Sequence, residues 1–277
     1  MARFTSSDGL SLYFEDDGAG QPVLCLAGLT RNSADFQFVL PHLAGCRVIR
    51  PDYRGRGQSD PAPDPMTYSI LHEARDAVEL LDHLGVPSVS LIGTSRGGLI
   101  AMALAHLHPD RLAGVVLNDI GPEVAETGIA RIMDYVGREP DLPDLDTAAS
   151  ALAHVNAAAF PGVPLARWRA QAEAMFYEKP EGGLGLRYDA RLRDALIGQA
   201  GAGEAPDLWQ MFDALKDIPT AAIRGANSDL LSPETFAAMQ ARNPDLIAAT
   251  VPDRGHVPFL DEPEALAAIE TLLERSA

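Results

Sequence analysis

The sequence predicts an α/β fold: a mostly parallel, doubly wound sheet interrupted by one helical insertion. Strand-like and helix-like runs alternate through most of the 277 residues, the pattern of a parallel sheet with right-handed crossovers. The strand-like runs are continuously apolar, as in strands covered on both faces. One stretch, residues 121–212, carries no strand pattern and breaks the alternation. The expected organisation is therefore a core of residues 1–120 and 213–277 around an insertion of residues 121–212.

The elements follow in order. "RFTSSDGLSLYFEDDG" reads as a hairpin with Asp8-Gly9 at its turn. Six apolar runs then predict strands: "PVLCLAG", "CRVIRPD", "SVSLIGTS", "LAGVVLNDI", "TAAIRGANSD" and "LIAATVPDRGH". Between them, "SILHEARDAVELLDHLG" places Ile70, Ala74, Ala77, Val78, Leu81 and Leu84 at helical spacing, with Gly85 as a stop. "RGGLIAMALAHLHPD" is apolar nearly all round, as a helix buried on a sheet would be. "SPETFAAMQARNP" opens with Ser232 as N-cap and Pro233 at the first helical position. "DEPEALAAIETLLERS" opens at Asp261 with Glu264 three residues on, which resembles a capping box. The insertion contains helical fragments such as "DTAASALAHVNAAAF" and "PLARWRAQAEAMFYE", and "GQAGAGEAPD" is its nearest approach to a hinge.

Composition narrows the function. The chain is 47% hydrophobic and 22% charged, which is globular. Thirty-nine acidic residues against 22 basic ones give a formal charge of −17. That argues against electrostatic binding to nucleic acid or to an anionic membrane, since both are polyanions. A small molecule is left as the expected partner; nothing in the sequence fixes an oligomeric state. Cys25 and Cys46 lie in apolar, strand-like runs without metal-ligand spacing and read as buried, reduced thiols. The N-terminal residues hold no apolar run long enough for a signal peptide, and no segment approaches bilayer length. A cytoplasmic location is expected.

Chemistry concentrates at "SLIGTSRGGLIAM". Gly93-Thr94-Ser95-Arg96-Gly97 has the spacing G-x-S-x-G, and it falls on a strand-to-helix turn. On such a turn a serine is held strained and exposed at the carboxyl edge of the sheet, near helix N–H groups that favour negative charge. A Cβ at the flanking glycines would meet the neighbouring strand or helix. Asp229 follows a later strand in "RGANSDLLSPE", and His256 follows the last strand in "PDRGHVPFLDEPE". A parallel sheet gathers these strand ends along one edge, so Ser95, Asp229 and His256 can meet.

This arrangement resembles the α/β-hydrolase fold superfamily over nearly the whole chain. "PDYRGRGQSD" looks like the D-x-R-G-x-G-x-S loop of that superfamily, matched by Asp52, Arg54, Gly55, Gly57 and Ser59. The resemblance implies that the insertion is a cap, a lid over the active site. It implies a Ser95–His256–Asp229 triad, with Asp119 as the alternative acid, because some members draw their carboxylate from the strand beside the elbow. Many members have His-Gly after the first parallel strand, where this chain has Ala27-Gly28. The oxyanion hole would then be the backbone N–H groups of Leu29 and Arg96, which need no histidine side chain. No metal or organic cofactor is implied. Serine at the elbow favours acyl transfer or C–C bond hydrolysis, and the expected activity is hydrolysis of a small ester or lactone. Alternatives within the resemblance are a C–C bond hydrolase, a cofactor-free haloperoxidase or perhydrolase, and a ligand receptor that keeps the fold. Arg31 would either bind a substrate carboxylate or anchor its own loop through an ion pair. The Arg96 side chain is expected to pair with Asp119 or another carboxylate. Trp168, Phe176, Tyr177 and Trp209 are expected mostly as cap core.

Overall fold

The computed structural model describes residues 2–200 and 207–277. Residues 201–206, within the stretch expected as a hinge, lie outside the described residues. The chain opens with an antiparallel hairpin, β1 (Ala2–Thr5) and β2 (Ser11–Gly18). Gly9 adopts the left-handed φ of 88° that its turn requires. Strands β3 (Gln21–Leu26), β4 (Cys46–Pro51), β5 (Val89–Thr94) and β6 (Leu112–Asn118) follow. A separate hairpin of β7 (Phe176–Glu178) and β8 (Leu184–Leu186) precedes β9 (Thr220–Gly225) and β10 (Ile247–Val251). The helices are α1 (Ile70–His83), α2 (Arg96–Leu107), α3 (Glu126–Tyr135), α4 (Leu145–Val155), α5 (Leu165–Met175), α6 (Leu192–Ala200), α7 (Leu208–Asp213), α8 (Pro233–Arg242) and α9 (Pro263–Arg275).

Eight strands form one sheet in the order β1-β2-β4-β3-β5-β6-β9-β10. The first two join it antiparallel, and from β4 to β10 every pairing is parallel. The apolar runs are explained by burial on both faces. Leu24, Leu91 and Leu117 point into one core with Ile100 of α2. Their neighbours Cys25, Ile92 and Val116 point into the other with Ile269 and Leu272 of α9. Ser69 caps α1 and Ser232 caps α8, each accepting from the N–H three residues on. The capping box expected at Asp261 is absent. Glu262 occupies the N-cap position, and the Asp261 carboxylate is taken by two bonds from Arg167, both 2.6 Å. Charge-assisted pairing to arginine outcompetes a cap.

Between β6 and β9 the chain leaves the sheet. α4 and α5 pack on each other around Trp168, Phe160 and Phe176, with Phe259 of the main body closing the cluster. Phe212 of α7 instead joins the core that contains Leu117. The hairpin β7–β8 corrects the expectation of no strand in residues 121–212. Its strands are too short to show alternation, although Gly182 and Gly183, both at positive φ, mark its turn. Among the described residues no helix is long and apolar enough to cross a membrane.

Candidate active site

Ser95 sits between β5 and α2 with φ 51° and ψ −112°. A non-glycine residue enters this region only when its surroundings force it. The surrounding glycines permit the close packing that does so. A Cβ on Gly93 would lie 2.6 Å from the Gly97 backbone, and one on Gly97 would lie 2.0 Å from the Leu26 carbonyl oxygen. Strand, turn and helix therefore approach each other at backbone distance. The carbonyl of Ser95 accepts from Gly98 N–H at 2.9 Å and its own N–H donates to Asn118 at 2.9 Å.

His256, on the loop after β10, lies with Nε2 2.9 Å from Ser95 Oγ. Its Nδ1 lies 2.7 Å from Oδ2 of Asp119, the residue that follows β6. A carboxylate can only accept, so Nδ1 carries the proton and Nε2 is free to accept from the serine. Asp119 is fully buried, and its carboxylate accepts two further bonds, from Gly225 N–H at 2.7 Å and Ser228 Oγ at 2.6 Å. Its φ of 56° is one that aspartate tolerates better than most residues.

The expected partner of the histidine, Asp229, is not there. Its carboxylate bonds Arg131 of α3 at 2.9 Å, and both side chains are about two-fifths exposed. The reason is local. Ser228 turns inward and fills the space beside Asp119, while its Oγ accepts from Leu230 and Leu231 N–H and so turns Asp229 outward. Ser228 and Gly225 are site residues that the sequence reading missed. Asn118 is another: its Nδ2 donates to Thr94 Oγ1 and to the Pro258 carbonyl, tying the histidine loop to β6.

The N–H groups of Leu29 and Arg96 make no hydrogen bond among the described residues. Gly28 stands so near Ser95 that a Cβ on it would come within 4.0 Å of the serine Cβ. The Arg96 side chain turns away from Asp119 and pairs with buried Glu73 at 2.5 Å. Arg31 Nε bonds both Asp35 oxygens, at 2.8 and 2.7 Å, and its Nη2 reaches Gln171 of α5. Ser95, His256, Leu29 and Arg31 open onto a cavity of about 560 Å³ whose far wall includes Trp168, Phe160 and Leu152 from the insertion. Trp168 and Phe176 are buried in the cluster around α4 and α5, whereas Tyr177 is exposed and Trp209 packs on Phe212. Both cysteines are buried free thiols, and burial pushes Cys25 up to about 12. Among the described residues no group of three or more His, Cys, Asp or Glu side chains could hold a metal ion.

A serine on a strained strand–helix turn, facing a histidine at the carboxyl edge of this sheet, defines the class. The chain belongs to the α/β-hydrolase fold family, whose family model matches residues 21–263, and it is a hydrolase. Among curated relatives it is 36% identical to the 3-hydroxybutyrate-oligomer hydrolase of Cupriavidus necator, over 88% of this chain and 85% of that protein. It is 28% identical to a putative 2-succinyl-6-hydroxy-2,4-cyclohexadiene-1-carboxylate synthase of Bacillus subtilis, over 96% of each. Among solved structures, an α/β hydrolase of Novosphingobium aromaticivorans superimposes with a TM-score of 0.91 at 42% identity, covering 99% of this chain and 97% of that one.

Proposed function

We propose that the protein is a serine hydrolase that cleaves a small carboxylic ester or lactone, with Ser95 as nucleophile, His256 as general base and Asp119 as the triad acid. The observation that carries this is the continuous chain of short contacts from Ser95 Oγ through His256 to Asp119. In this reading His256 Nε2 takes the serine proton as Oγ attacks the carbonyl carbon. The tetrahedral oxyanion is met by the N–H groups of Leu29 and Arg96. His256 then gives its proton to the departing alkoxide. Water, deprotonated by the same nitrogen, releases the acid and restores the serine. Asp119 holds the tautomer and stabilises the charged imidazole. The inserted helices act as the cap, and Arg31 is assigned to anchoring its loop rather than to the substrate. The relative named for 3-hydroxybutyrate oligomers supports an ester, because an oligomer of a hydroxy acid is joined by ester bonds. Short 3-hydroxyalkanoate esters and p-nitrophenyl butyrate are the first substrates to assay. A fluorophosphonate should label the wild type and abolish turnover, and Ser95→Ala should lose both labelling and activity. Labelling that persists in Ser95→Ala would remove the nucleophile from this reading.

A further inference from the structure

We infer that Glu73 and Arg56 are positioning residues for the oxyanion hole: one buried carboxylate ties together the two backbone segments that carry its donors. The inference rests on the reading of Leu29 and Arg96 given above. Glu73 lies on α1, outside the triad, and is 0% exposed. Its Oε2 accepts from Arg96 Nε at 2.5 Å, and its Oε1 lies 2.9 Å from Arg56 Nη1 as an ion contact. Arg56 in turn donates from Nε to the Leu29 carbonyl at 3.0 Å and from Nη1 to the Arg54 carbonyl at 2.7 Å. Arg56 is 1% and Arg96 6% exposed. The path Leu29–Arg56–Glu73–Arg96 thus joins the loop after β3 to the first residue of α2 through the interior.

The geometry of the peptide plane explains why such a tie controls the donors. A trans peptide points its C=O and the next N–H in opposite directions, so fixing the carbonyl aims the N–H. The Leu29 N–H shares a plane with the Gly28 carbonyl, which accepts from Arg31 N–H at 3.1 Å. The planes on either side are also fixed, one by Tyr53 Oη on the Ala27 carbonyl at 3.0 Å, the other by Arg56 on Leu29. Burial holds Tyr53 protonated, so its hydroxyl is available to donate. Of these three restraints only the one from Arg56 is anchored to the elbow helix, because Glu73 also grips Arg96. The Arg96 N–H shares its plane with the Ser95 carbonyl, fixed by Gly98 and Leu99. The β3–β5 pairing and the close approach of Gly97 to Leu26 hold the strand ends together, and beyond those ends the Arg56–Glu73–Arg96 tie sets the separation of the Leu29 loop from the start of α2. An oxyanion hole depends on that separation, since both donors must reach one oxygen at about 2.7–3.1 Å. The cluster also supplies packing beneath the Ala27-Gly28 segment. Arg56 stacks near Tyr53 and Tyr68, with ring centroids at 5.7 and 5.1 Å.

The test compares two inhibitors on the full chain. A trifluoromethyl ketone adds the serine and places an oxyanion in the hole; the matching methyl ketone occupies the same cavity largely as the ground-state carbonyl. The variants are Glu73→Gln, which removes the shared charge, and Arg56→Lys, which keeps a charge but lacks the fork that reaches Leu29 and Glu73 together. In Arg56→Lys, and in Glu73→Gln where it folds, the trifluoromethyl ketone should weaken about tenfold or more, and kcat should fall with it. The methyl ketone and KM should change less than about twofold. A purely structural role would either lower the amount of active protein with both inhibition constants unchanged, or distort the cavity and weaken both ketones in parallel, and either outcome overturns the inference. Should the wild type itself fail to prefer the trifluoromethyl ketone, the acyl-transfer reading falls and this role falls with it.

Discussion

Replacing Asp119 by asparagine should nearly abolish turnover while leaving a folded protein. In Asp119→Asn the amide oxygen can still accept from Gly225 N–H, now at 2.7 Å. The amide NH₂ must then stand where Oδ2 stands, facing Ser228 Oγ at 2.6 Å and His256 Nδ1 at 2.7 Å. A donor facing Nδ1 forces the proton onto Nε2, and an Nε2–H opposite Ser95 cannot take the serine proton. The same tautomer swap in the serine-protease triad lowers kcat about 10⁴-fold, which corresponds to about 5.4 kcal/mol in the barrier. The fold loses bonds to a charged group, each worth about 1.5–3 kcal/mol. Asp229→Asn breaks only the pair with Arg131, where both partners are about two-fifths exposed. Such pairs contribute about 1 kcal/mol or less, so kcat should stay within about threefold. Initial rates on p-nitrophenyl butyrate, with thermal melts to verify folding, separate the two variants. A folded Asp119→Asn protein that keeps more than about a tenth of its kcat would refute the assignment, as would a nearly inactive Asp229→Asn.

Three further outcomes follow from the packing. Gly97→Ala should be destabilised by at least about 3 kcal/mol in urea titration, because its Cβ would lie 2.0 Å from the Leu26 oxygen; Gly9→Ala meets no atom within 4 Å and should cost only the left-handed strain of about 1–2 kcal/mol. Cys25, whose thiol burial pushes up to about 12, should resist iodoacetamide at pH 8 in the native state and react on unfolding; rapid alkylation of folded protein would contradict its burial. Within the insertion, hydrogen exchange should be faster in α3 than in α5. The side-chain ties of α3 include the exposed Arg131–Asp229 pair, whereas α5 is held by the two Arg167–Asp261 bonds, the Asn32 bond to Ala174 and buried Trp168; equal protection in both would contradict the looser hold on α3.

The fold was legible because its signals are local. Apolar runs between helical patterns gave the strands, Ser232 gave a helix start, and Gly93 and Gly97 marked a turn whose backbone contacts the structure supplies. What the sequence hid depends on partners far along the chain. Nothing near Asp261 reveals that Arg167 will claim it, and Glu73 reads as an ordinary helical carboxylate until the topology sets it between Arg56 and Arg96. A buried charge is invisible in a pattern that treats every glutamate as a solvated face.

Asp119, the alternative acid of the sequence reading, and not Asp229, is the aspartate that the structure sets against His256 Nδ1. "NSD" does approach the histidine's partner, but it contributes Ser228, not Asp229. The parallel register decides between the two aspartates. Thr94 pairs with Asn118, so the residues one step beyond, Ser95 and Asp119, leave neighbouring strands side by side. Adjacent strands lie about 4.8 Å apart, a gap that an imidazole reaching in from the loop after β10 can span with its two nitrogens. Asn118 pairs in turn with Ile223, which brings the Gly225 N–H and the Ser228 hydroxyl up to the Asp119 carboxylate from the other side. Asp229 lies well beyond the end of β9 and would have to fold back across Ser228 to reach the same histidine. Once the register of β5 and β6 is known, aligning their ends places Asp119, and not the aspartate ahead of the capped helix, beside Ser95.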